Sequence, residues 1–193
     1  SAASFSAPIL AYQVTGRRTR DQDLALVLSP RGTVSYGGDT LLALVEGYNY
    51  TEPTMVPFEI INDLDSVITR DTLRFTGTRA VEPQVVRIVP DSQPLGELRL
   101  RVGSGPETKQ TSALVSFSGA WILTNYSEMI DLLRYFGHED LIKQLKKAPT
   151  SERPRRWQEF YRQTDPVPGT PENEALEQYF GRQTARMIVR QPL

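Results

Sequence analysis

The chain has 193 residues, 23% of them charged, with no cysteine, a single histidine and a net charge of −1. These counts exclude a disulfide framework, a thiolate nucleophile, a cysteine zinc site and any metal site that needs two histidines. Near-neutrality argues against a general nucleic-acid binder, which needs surplus Lys and Arg to displace phosphate counterions.

Residues 1–22 read as an extended arm. A short apolar patch (Ile9, Leu10, Tyr12, Val14) precedes Gly16-Arg17-Arg18-Thr19-Arg20, and three Arg stand against one Asp in the segment. No helical period runs through it. Arg17, Arg18 and Arg20 are expected to dock the arm on a sheet edge or on a partner. The leading SAASFSAP is small and polar, like the stretch after a signal-peptide cleavage site, so export is expected.

Residues 23–118 carry eight basic and twelve acidic groups and read as strands. The runs are Leu24–Leu28, Leu41–Tyr48, Met55–Ile61, Val67–Phe75, Val81–Val89, Leu95–Val102 and Thr111–Phe117. Leu98, Leu100 and Val102 alternate with Arg99 and Arg101, giving one buried and one wet face. Between the runs lie turn residues, such as Tyr36-Gly37-Gly38-Asp39 and Gly103-Ser104-Gly105-Pro106. Seven short strands at this spacing predict an immunoglobulin-like β-sandwich. Pro57 and Pro83 lack a ladder donor, which predicts edge or bulged strands.

Residues 119–193 change period, so the fold class is α+β with a small module of about four helices. Asn125 and Glu128 form a candidate capping box ahead of Met129, Ile130, Leu132, Leu133 and Phe136. Gly137 is expected to stop that helix. Glu139 and Asp140 open the next helix and Lys143, Lys146 and Lys147 close it, which suits the macrodipole. Ser151 is expected to cap a third helix carrying Trp157, Phe160 and Tyr161. Thr170 is expected to cap a fourth, with Pro171 in its first turn. No uninterrupted apolar run exceeds five residues (Leu41–Val45 is one), whereas a helix spanning a bilayer needs about 20.

Groups able to do chemistry are few. His138 stands between a helix stop and two carboxylates, a common surface setting. Asp165, Glu172 and Glu174 could pair as carboxylates, but a turn before proline and a first helical turn favour acids in any case. Gly37-Gly38 and Gly103-Ser104-Gly105 lack the Lys-Ser or Lys-Thr of a phosphate loop. The Arg153-Pro154-Arg155-Arg156-Trp157 run fits a solvated helix face better than an anion site. Asp63, Asp65 and Asp71 do not follow the calcium-loop pattern. No catalytic residue, metal ligand or cofactor-binding residue is assigned.

One stretch resembles a known family. Trp157, Phe160, Asp165-Pro166-x-Pro168-x-Thr170, Asn173-Glu174, Tyr179, Arg182 and Arg186 follow the order seen in the GWxTD-domain family of bacterial exported proteins. That family also places a β-sandwich before a helical unit. The likeness is specific only over residues 157–182. The Gly-Trp-x-Thr-Asp segment that names the family does not follow in this sequence. The resemblance implies a sandwich at 23–118, a GWxTD-type helical module at 119–193, and a non-enzymatic interaction role. It also implies a periplasmic subunit, peripheral on a membrane protein complex, such as one holding a photosynthetic reaction centre to its light-harvesting ring. No pigment is expected to bind, because His138 is a poor stand-in for buried chlorophyll ligands.

Two other readings stand beside this one. One is a hydrolase using Asp165 and Glu174 with a water, which fails if Asp165 caps its own turn. The other is an exported glycan- or polypeptide-binding module, with Trp121, Tyr48 and Tyr50 on one flat face.

Overall fold

The computed structural model describes residues 2–29, 32–89, 94–117, 124–170 and 173–189. The chain is α+β: a two-sheet β region of ten strands precedes four helices.

The first sheet is built around β5 (Leu41–Tyr48). β8 (Val81–Ile88) pairs antiparallel along its whole length, from Leu41↔Ile88 to Tyr48↔Val81. The other side of β5 is shared in succession by β1 (Ser4–Phe5) and β2 (Ile9–Thr15). Ser6-Ala7-Pro8 interrupts them; Ser6 N donates to Glu46 O and Ser6 Oγ accepts from Glu46 N. β3 (Ala25–Leu28) pairs with β2 at the margin. The apolar residues at the start of the chain thus supply strands of this sheet.

The second sheet runs β4 (Thr33–Ser35), β10 (Lys109–Ser116), β9 (Gly96–Val102), β6 (Thr54–Asn62), β7 (Val67–Phe75). β4 pairs parallel with β10, and all other pairs are antiparallel. The alternation read in β9 holds, with Leu98, Leu100 and Val102 buried. Residues of both sheets enter one core. At Gly47 the sheets approach so closely that an added Cβ would lie 2.5 Å from the Phe75 ring.

The two prolines settle differently. β8 lies at a margin, where Pro83 needs no outward donor. β6 is an interior strand and not an edge, but its register with β7 shifts between Ile60 and Ile61, so Pro57 stands in a strand with an irregularity. The proline is tolerated because β9 pairs with β6 only from Phe58 onward. The last link is Gly103 N donating to Pro57 O at 2.8 Å, a bond for which proline needs no N–H.

The helices are α1 (Tyr126–Leu132), α2 (Glu139–Lys147), α3 (Arg153–Gln163) and α4 (Glu174–Val189). Asn125 Oδ1 accepts from Glu128 N, so the expected cap of α1 forms. Gly137 (φ 97) and His138 (φ 55) turn the chain between α1 and α2 in the left-handed region. Ser151 does not cap α3. It lies inside a 3-10 turn over Thr150–Glu152, and Glu152 precedes the helix without a side-chain capping bond. Met129, Leu133, Leu145, Trp157, Phe160, Leu176 and Phe180 are buried and continuous with the core of the sheets. The joint is aromatic: Phe117, just after β10, meets Trp157 edge-on at 4.8 Å and Tyr36 at 5.4 Å. None of the described helices is long and apolar enough to cross a membrane.

Candidate functional site

The motif residues meet where α3 hands over to α4. Trp157 and Phe160 are buried and stacked, with centroids 5.5 Å apart. One turn later Thr164 Oγ1 donates to Phe160 O at 2.9 Å. Asn173, 0% exposed, then ties both helices together. Its Nδ2 donates to Tyr161 O (2.7 Å) and Thr164 Oγ1 (2.9 Å), and its backbone N donates to Tyr161 Oη (2.7 Å). Its Oδ1 accepts from Leu176 N at 3.0 Å, three residues on. That last bond makes Asn173 the N-cap of α4, the role expected of Thr170. An Asn fits because the site needs a donor and an acceptor on one short side chain.

The loop between is held by its own side chains. Asp165 Oδ1 accepts from Val167 N at 2.9 Å, an Asx turn. Thr170 Oγ1 lies 3.0 Å from Val167 O and 2.5 Å from Glu174 Oε1, with one proton to donate between them. The Thr170 hydroxyl, then the backbone N–H of Glu174, holds the Glu174 carboxyl below its ordinary 4.5; burial opposes this, and neighbouring Asp165 adds a smaller lowering. The structure thus brings Asp165, Thr170 and Glu174 together, but on an exposed loop. The second oxygen of Glu174 is the one buried side-chain polar atom of this group with no hydrogen bond among the described residues. Pro166 and Pro168 are exposed and stiffen the loop. Glu172 and Pro171 lie outside the described residues. Further along, Tyr179 Oη donates to Leu132 O at 2.5 Å and its ring meets Phe136 edge-on at 5.2 Å. Arg182 is exposed and reaches only Gln178, one turn back.

The basic residues near the start of the chain are engaged within the molecule. After β2 the chain folds across the outer face of β5 and β8. Arg17 grips Glu46 through two bonds of 2.9 Å, one from Nε and one from its NH2 group. The Arg18 carbonyl accepts from Val81 N, and Arg20 lies 4.8 Å over the Tyr48 ring. This strap explains why Glu46, on the face turned away from the main core, is buried. Burial pushes the Glu46 carboxyl up, but hydrogen bonds from Arg17 and Tyr48 and the charge of Arg17 outweigh it, leaving the group below 4.5.

The remaining candidates separate. Tyr48 donates to Glu46 beneath Arg20, while Tyr50 stacks on Phe75 at 5.2 Å, so the two do not form one flat platform. Trp121 lies outside the described residues. His138 packs 5.7 Å from Phe136 and makes no side-chain cap for α2. Arg155 and Arg156 pair with Glu152 and Glu159, and Arg153 sits 4.4 Å over the Tyr126 ring. Burial raises the Tyr126 hydroxyl to about 12, against the nearby Arg153 charge; its hydroxyl donates to Leu145 O. Asp65 pairs with Arg99. Among the described residues no three acidic or histidine side chains cluster as a metal site would require.

Two hollows adjoin the β region. The smaller, about 200 Å³, lies between the Ser35–Asp39 turn and α3, floored by Phe117 and Trp157. The larger, about 350 Å³, opens at the far end of the sheets, with Phe5, Tyr50, Val56, Ser104, Glu107 and Lys109 on its walls. It falls within the size range of small-ligand sites. Sequence reasoning missed it, because its residues come from four separated segments and share no motif. The one available signal was Pro57, a break in donors beside a glycine-rich turn.

No family model and no curated protein matches the chain.

Proposed function

We propose that this chain is a non-enzymatic structural subunit, periplasmic and peripheral on a membrane protein complex. The complex we favour is a photosynthetic reaction centre with its light-harvesting antenna. The finer fold belongs to the same proposal: the two-sheet region is an immunoglobulin-like β-sandwich, and the helices form a GWxTD-type module. The supporting observation is how the motif residues are used. Trp157 and Phe160 build core, Thr164 and Asn173 lock two helices, and Asp165 and Thr170 fix a loop. The carboxylates that a hydrolase would use are engaged as turn and loop locks on an exposed surface, away from both hollows of the β region. A motif that assembles a rigid unit suits a protein whose work is to hold others in place.

Affinity purification of the tagged protein from gently solubilised membranes, followed by mass spectrometry, tests this. Reaction-centre and antenna subunits are expected in the eluate. Recovery only as a free monomer overturns the reading, and recovery with an unrelated assembly overturns its photosynthetic part.

A further inference from the structure

The larger hollow is where the second sheet stops short. β6 continues to Thr54, but its partner β9 ends at Val102. Gly103 (φ 93) and Gly105 (φ 57) then turn the chain aside. Gly103 cannot carry a side chain, because a Cβ there would sit 2.6 Å from the Phe5 ring, so β1 and this turn form one fixed wall.

Backbone direction alternates along a strand. Pro57 O points toward the β9 side, since it accepts from Gly103 N. Met55, two residues earlier, points the same way, and no strand stands opposite. By that alternation its N–H and C=O face the side where β9 is missing; Met55 lines the hollow and is 70% exposed.

Thr54 Oγ1 donates to Glu52 O, whereas the side chains of Lys109, Ser104 and Tyr50 have no polar partner among the described residues. Lys109 makes no ion pair there; its ammonium lies 5.6 Å over the Phe5 ring. Ser104 makes no capping bond to the turn that follows it. The Tyr50 hydroxyl is held protonated by burial first and by the charge of Glu107 second, so it is a donor. The ammonium of Lys109 and the hydroxyls of Ser104 and Tyr50, which can each donate, face the single carboxylate of Glu107. Phe5 and Val56 supply apolar floor.

We propose that this hollow binds the free carboxyl end of an extended polypeptide. The incoming chain pairs with Met55 as a short added strand. It must stop there, because the Gly103 turn already occupies the next position along β6. Of the two ends a chain can stop with, the carboxylate is the one that the Lys109 ammonium and the two hydroxyls can receive, while the last side chain rests on Phe5 and Val56. Glu107, the one anion in the wall, favours a basic side chain just upstream and disfavours an acidic one. This site is independent of the helical motif and of the complex to which the protein belongs.

The test uses the full chain and a library of hexapeptides with free carboxyl ends, screened by fluorescence polarisation. The best binder is then remade as its C-terminal amide. Amidation and Lys109→Gln are each expected to weaken binding about tenfold or more, the scale of one charge-assisted hydrogen bond. The Met55 amide resonance is expected to shift on titration. Lys109 is exposed, so this variant should fold as the parent does, which an unchanged Tm checks. Equal binding of acid and amide overturns the proposal, as does a library with no binder. Equally tight binding of acetate overturns the strand pairing.

Discussion

The two ends of the molecule use polar groups in opposite ways. At the α3–α4 junction Asn173, Thr164, Asp165 and Thr170 all bond within the fold. At the open end of the sheets Lys109 and the hydroxyls of Ser104 and Tyr50 line a hollow with no polar partner among the described residues. The junction holds the residue pattern singled out in the sequence, and the open end holds none. Such a pattern can thus record what a module needs in order to fold, while the surface free to bind lies elsewhere. If that contrast is right, damage at the junction is read in stability and damage at the open end in binding.

The largest effect is expected at Trp157. It touches both Phe117 and Phe160, so Trp157→Ala opens a cavity where sheets and helices share a core. A loss of about 3–5 kcal/mol is expected in urea titration. A variant with unchanged melting that loses a partner would move the motif from folding to recognition and break the contrast. Asn173→Ala comes next, at about 3 kcal/mol, since it removes a cap together with the two side-chain donations to the Tyr161 carbonyl and the Thr164 hydroxyl.

The strap gives a smaller effect with a pH signature. Arg17→Met leaves the buried Glu46 carboxylate with the Tyr48 hydroxyl but no cation, and about 1.5–3 kcal/mol should be lost. Glu46 has a lowered folded value, so it protonates at lower pH in the folded chain than in the unfolded one. Its contribution is therefore complete above 4.5 and disappears as pH falls through the folded value. Glu82 behaves alike: burial raises it, but the backbone N–H and hydroxyl of Thr76 and further loop N–H groups lower it more. Thermal scans from pH 6 to about 3 should show stability falling over the acid range, and Glu46→Gln should flatten part of that slope. An equally steep slope in the variant would show that the pair contributes nothing.

The sequence carried the period of each main element but not the partners. Seven runs coincide closely with β3 and β5–β10, because alternation and turn residues are local signals. β1 and β4, of two and three residues, are too short to show a period and exist through their neighbours. The strap was read as a docking arm because its charge is visible locally. Its acceptor, Glu46, lies 29 residues away on a strand that looks apolar. At the junction the residues were named but their roles were exchanged. Thr170 precedes a proline in the sequence, which suggests a cap, yet Asn173 takes the post because only an amide can bond α3 and α4 together.

The smallest effect sharpens this last point. Asn125 and Asn173 are both N-caps whose Oδ1 accepts from the backbone three residues on. The Asn125 side chain does only that, at an exposed helix start, so Asn125→Ala should cost about 1 kcal/mol. Asn173→Ala loses the same capping bond along with two buried side-chain donations. The difference between the two variants, read from urea midpoints at equal m-value, isolates what the α3–α4 lock adds beyond capping. A difference near zero would mean that water replaces those donations without cost and that the junction is held by Trp157 and Phe160 alone. A difference of about 2 kcal/mol would assign the lock to the amide of Asn173 itself.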